Sequence, residues 1–101
     1  MSKLVRDRVP ELFPSNTYRV LDEAEYESAL QNKLMEEVQE YLSDRTPEEL
    51  ADVLEVLHAL AALHGMTPNK LERLRASKDA ERGGFADRVW LEALDGEPNA
   101  R

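Results

Sequence analysis

Apolar residues recur at mostly three- and four-residue intervals from Tyr26 through Leu30, Leu34, Val38, Tyr41 and Leu42. That period predicts a helix running to about Ser43. Asp22 stands where an N-cap is needed, and Glu25 follows three residues later, as in a capping box. The stretch SDRTP then reads as a turn, with Thr46 as N-cap and Pro47 as first residue of a second helix. This helix is rich in Leu, Val and Ala and extends to about His64, where Gly65 stops it. Thr67 and Pro68 open a third helix that ends at Gly83 and Gly84. The apolar segment FADRVWLEAL after it suits a strand or a short helix. Residues 1–21 read as an irregular arm in which Pro10 and Pro14 break any helix and 17–21 suit a short extended piece. Residues 95–101 read as a frayed tail. The expectation is one all-α domain over residues 1–101, an antiparallel helix hairpin set in a small helical bundle.

Composition narrows the function more than the fold. The 101 residues carry a net charge of −8, with 42% hydrophobic and 34% charged residues. Such a chain is globular, and its charge disfavours a nucleic-acid partner, whose phosphates it would repel. There is no cysteine, hence no disulfide and no thiolate metal site. No apolar run approaches the roughly 20 residues that span a bilayer, and the N-terminus MSKLVRDRVP lacks a signal-peptide apolar region. A cytoplasmic protein without a membrane partner is the expectation.

The charge is concentrated. Residues 33–56 hold eight acidic residues and two basic ones. Glu37 and Glu40 share one face of the first long helix, and Glu49 and Asp52 share one face of the second, each pair being three apart. On a helical wheel Glu37 lies about 60° from Leu34, and Glu49 about 40° from Val53, so both border the apolar stripes. In an antiparallel hairpin, facing positions add to a nearly constant total. Glu37 with Asp52 and Glu40 with Glu49 give the same total, whose midpoint falls between Asp44 and Arg45, inside the turn. The two pairs should therefore stand at one height on adjacent helices. Four facing carboxylates repel strongly unless cations intervene. An all-oxygen set suits Mg²⁺, or Mn²⁺, which shares its shell with substrate phosphates. His58 and His64 do not complete a zinc site with these residues. A solvated-surface reading stands beside this one: Glu49 completes a capping box with Thr46, and Glu36, Glu48, Asp52 and Glu55 simply face water.

The run E-E-x-x-E at residues 36–40, followed by E-x-x-D at 49–52, resembles the MazG-like nucleotide pyrophosphohydrolases of the all-α NTP pyrophosphatase superfamily. KLVRDRVPEL at 3–12 and KDAERGGF at 78–85 resemble the N- and C-terminal signatures of a compact phosphoribosyl-ATP pyrophosphohydrolase-like subgroup, so the likeness covers nearly the whole chain. The resemblance implies hydrolysis of a nucleoside triphosphate between the α and β phosphates, giving a monophosphate and pyrophosphate. It implies Mg²⁺ on Glu37, Glu40, Glu49 and Asp52, and a part for Glu36 in activating water. It also implies dimers or tetramers with substrate near subunit contacts. The eight residues between Glu40 and Glu49 leave little room for a specificity insertion.

Cations should assist a triphosphate at an acidic site. Lys33, one turn before Glu37, can reach a phosphate or pair with Glu37. Lys78 and Arg82 can clamp a phosphate or answer the dipole at their helix end. Arg6 and Arg8 can reach phosphates or pair with Asp7 and Asp22. Phe85 and Trp90 suit a base-stacking surface or, more simply, the core, and His58 and His64 suit structural or surface roles. The second helix is apolar on more than half its wheel through Leu50, Val53, Leu54, Val56, Leu57, Leu60, Ala61 and Leu63. A helix so clothed is covered on several sides, which calls for a homodimer or homotetramer. The reading is thus a Mg²⁺-dependent nucleotide pyrophosphohydrolase that cleanses the nucleotide pool. The alternative is a non-catalytic helical oligomerisation or nucleotide-binding module.

Overall fold

The computed structural model describes residues 2–93. It contains four helices: α1 (Val9–Leu12), α2 (Glu23–Asp44), α3 (Pro47–Leu63) and α4 (Pro68–Arg82), with no strand among the described residues. The all-α expectation holds. The N-terminal arm differs in detail. Pro10 does not break a helix but lies in the first turn of α1, where its missing N–H has no intrahelical partner to lose. Residues 17–21 pair with nothing as a strand. The loop around Pro14 is closed instead by the Tyr18 hydroxyl, which donates to the Phe13 carbonyl at 2.7 Å.

The start of α2 is the anticipated capping box. Asp22 accepts from the Glu25 N–H at 2.8 Å, and the Glu25 carboxylate accepts from the Asp22 N–H at 3.1 Å. The helix ends where Arg45 takes a left-handed conformation (φ 55°, ψ 40°), its N–H bonding the Tyr41 carbonyl at 2.7 Å. Thr46 is extended and Pro47 opens α3, so two residues reverse the chain and force α2 and α3 to lie antiparallel. The end of α3 is a Schellman motif. Met66 N–H bonds the Ala61 carbonyl and Gly65 N–H the Ala62 carbonyl, both at 3.0 Å. Gly65 supplies the positive φ of 73° at low steric cost.

The core is the seam between α2 and α3. Leu30, Val56 and Ala61 are its buried apolar residues, flanked by half-buried Tyr26, Leu34, Tyr41 and Val53. The hairpin is as expected; the bundle is not. Helix α4, capped by Thr67 on the Lys70 N–H, turns away from α3 by 101° and buries no residue. Gly83 (φ 80°) then lets the chain leave the helix, and residues 83–93 form neither strand nor helix. Phe85 and Trp90, expected in the core, are 91% and 81% exposed. One helix hairpin has one seam, and that seam is already filled. The Cα radius of gyration is 17.5 Å, against about 13 Å for a compact chain of 100 residues. No single helix among the described residues is long and apolar enough to cross a membrane. The tail expected to fray, 95–101, lies outside the described residues.

Candidate metal centre

Three carboxylates meet across the hairpin. Oxygens of Glu37 on α2 and of Glu49 and Asp52 on α3 all lie within 4.8 Å of one another. A second triad, Glu40, Asp44 and Glu49, meets the same criterion one turn nearer the loop. The expected facing pairs, Glu37 with Asp52 and Glu40 with Glu49, are therefore together. The four residues do not form one ring; they divide into two triads that share Glu49. Asp44 is the member that the sequence reading missed. Its signal was present, since Glu37, Glu40 and Asp44 follow helical-face spacing. The inner triad is the more enclosed. Its Glu37 side chain is 12% exposed and Asp52 40%, whereas Glu40 and Asp44 face solvent.

The donor set fits a hard divalent cation. All donors are carboxylate oxygens, and ligands about 2.1 Å from Mg²⁺ stand at most about 4.2 Å apart. A small closure of a triad already within 4.8 Å reaches that spacing. The electrostatics agree. Glu49 titrates above the usual carboxylate range, through desolvation first and then the charges of Asp44, Asp52, Glu40 and Glu37. It is thus the point where the negative field of both triads accumulates.

Two basic residues already touch this field. Arg6, from the N-terminal arm, donates to Asp52 at 2.6 Å across 46 positions of sequence. Lys33 lies 3.3 Å from Glu36 and 3.2 Å from Glu37, its side chain 18% exposed. Burial pulls the Lys33 ammonium down, but hydrogen bonds to Glu37 and Glu36 outweigh it and hold the pKa above its ordinary value. Lys33 therefore makes the expected pair with Glu37. Glu36 belongs to neither triad; its carboxylate is tied to Lys33. A shallow pocket of about 170 Å³ opens beside them, between arm residues 2–4 and Ala29, Asn32, Lys33 and Glu36 of α2.

The remaining candidates stand elsewhere. Arg8 pairs with Glu11 at 3.1 Å rather than with Asp7 or Asp22. Lys78 and Arg82 occupy the last turns of α4, which leaves the opposite end of α3 from Glu49 and Asp52. His58 is half-buried and His64 exposed, and neither joins a triad. The capping box expected of Glu49 is absent, because Thr46 makes no side-chain cap bond. Among known proteins, no family model, no curated sequence and no solved structure matches this chain.

Proposed function

We propose that the chain is a Mg²⁺-dependent nucleotide pyrophosphohydrolase, hydrolysing a nucleoside triphosphate to a monophosphate and pyrophosphate. The observation that carries this reading is the inner triad: one carboxylate from α2 and two from α3, partly shielded, with an all-oxygen donor set. In this reading Glu37, Glu49 and Asp52 hold Mg²⁺, or Mn²⁺, and Glu40 with Asp44 extends the set through the shared Glu49. The bound ion supplies charge neutralisation and polarisation of a phosphoryl oxygen. Arg6, which donates to Asp52 at 2.6 Å, would in this reading turn to a substrate phosphate. Lys33 fixes the Glu37 carboxylate from outside the triad. Glu36, adjacent in sequence and open to the pocket, is the candidate to accept the proton of the attacking water. Water adds across the α–β anhydride, and pyrophosphate leaves.

A homo-oligomer belongs to the same reading. The chain exposes 9210 Å², whereas a compact monomer of 11.5 kDa exposes about 5,800 Å². The surplus, roughly 3,400 Å², exceeds the 1,000 Å² or more that each partner buries in a permanent dimer. Lys78 and Arg82 would then approach the triads from a second copy rather than from their own chain. The test is a nucleotide screen with Mg²⁺ in which pyrophosphate and orthophosphate are detected separately. Pyrophosphate as the primary product supports the assignment, and orthophosphate defeats it. Glu37→Gln should lower turnover at least about 100-fold, the upper end of what outer-shell partners of a metal cost, with the helical circular dichroism unchanged.

A further inference from the structure

The segment after α4 is the least accounted-for part of the molecule. Phe85, Val89, Trp90 and Leu91 are 91%, 89%, 81% and 57% exposed. Singly exposed apolar residues are ordinary; four within seven positions, including the only tryptophan, are not. The two aromatics alone carry about 150–250 Å² each. Among the described residues, no face of the same chain covers them. Helix α4 buries nothing, and its 101° departure from α3 carries the segment away from the α2–α3 seam.

The hairpin has the converse deficit. Met35, Val38 and Leu42 form a stripe on α2 at helical spacing, and Leu50, Leu54 and Leu57 form another on α3. Their exposures run from 37% to 68%. Hence each chain presents an uncovered apolar strap at one end and uncovered apolar helix faces at the other. Under two-fold symmetry the strap of one copy meets the hairpin of the next, and the exchange is reciprocal. The surface surplus has room for this. A standard interface takes about 800 Å² per partner, far less than the roughly 3,400 Å² in excess here.

We infer that residues 85–91 form an exchange strap that docks, through Phe85 and Trp90, onto the α2–α3 hairpin of a second copy of this chain. This rests on the exposed apolar surface and not on the catalytic reading, so it stands whether or not the chain turns over a nucleotide. The tryptophan gives a direct readout. In the assembled species Trp90 emission should be blue-shifted and shielded from acrylamide, and dilution through dissociation should red-shift it in step with the loss of mass by sedimentation. A benzophenone side chain placed at position 90 should yield a photo-product of two chains. Trp90→Ser and Phe85→Ser should each weaken assembly at least tenfold with the helical circular dichroism intact. A monomer at all concentrations, an oligomer whose Trp90 remains quencher-accessible, or a benzophenone product confined within one chain would each overturn the inference.

Discussion

Glu25 and Glu49 occupy the same slot in two helices and meet opposite fates. Each is the third residue of its helix, three positions after an N-cap candidate. Glu25 closes the capping box with Asp22 and receives Arg19 through both oxygens, at 3.2 and 2.8 Å. The Arg19 hydrogen bond, and then the Asp22 N–H, pull its pKa down to about 2. Glu49 lacks both partners. Thr46 does not reciprocate, and the neighbours of Glu49 are Glu37, Asp52, Glu40 and Asp44, so its pKa rises. One glutamate is satisfied by its own sequence neighbourhood. The other is held by the fold among like charges, which add to desolvation in raising its pKa. A capping position is worth about 1 kcal/mol when used, and α3 begins without that contribution from Thr46.

The comparison breaks most sharply on metal. Glu49→Gln should lower Mg²⁺ or Mn²⁺ affinity at least tenfold by calorimetry and abolish the melting-temperature rise that the cation gives by mass action. Without cation, the same variant should melt no lower than wild type, since a like charge is gone. Glu25→Gln should do the reverse, lowering the metal-free melting temperature and leaving cation affinity alone. Equal cation binding by wild type and Glu49→Gln would show that the triads are merely crowded.

A smaller effect separates the two helix starts. Asp22→Ala should cost about 1 kcal/mol, or roughly 4–8 °C in a domain of this size. Thr46→Ala should cost less than about 0.5 kcal/mol, because Thr46 makes no cap bond to lose. A Thr46→Ala loss as large as that of Asp22→Ala would mean that the second capping box forms after all.

The smallest effect lies in the pH profile. With its folded pKa lowered to about 2, Glu25 contributes stability that is present above the ordinary carboxylate pKa of 4.5 and lost as pH falls toward 2. Glu49, with its folded pKa raised, works the other way. As pH falls through that value the folded state takes up the proton first, so stability rises and cation affinity falls in the window just above 4.5. Melting curves between pH 3 and pH 7, on a scale of about one pH unit around each pKa, should lose the upper feature in Glu49→Gln and the lower one in Glu25→Gln. Profiles that superimpose across all three proteins would remove the electrostatic distinction.

Much of this was legible before any coordinates. The apolar period placed α2 and α3, and Asp22, Pro47, Thr67 and Gly65 marked their boundaries and that of α4. The constant register total paired Glu37 with Asp52 and Glu40 with Glu49. These features depend on residues a few positions apart, or on a turn short enough to fix the register of what it joins, so local sequence determines them. Capping by Glu49 was equally legible and did not occur, because a cap is a local preference of about 1 kcal/mol that tertiary placement overrides. The Arg6–Asp52 contact spans 46 residues, and no spacing rule reaches that far. The direction of α4, and with it the exposure of Phe85 and Trp90, had no sequence signal either. Whether an apolar residue is core or surface depends on whether some face is left to receive it, and α2 and α3 close their only shared seam on Leu30, Val56 and Ala61. Sequence determined the helices and the register of their carboxylates; tertiary structure alone decided which charges crowd together and which apolar residues are left uncovered, because both are set by surfaces that meet far apart in the chain.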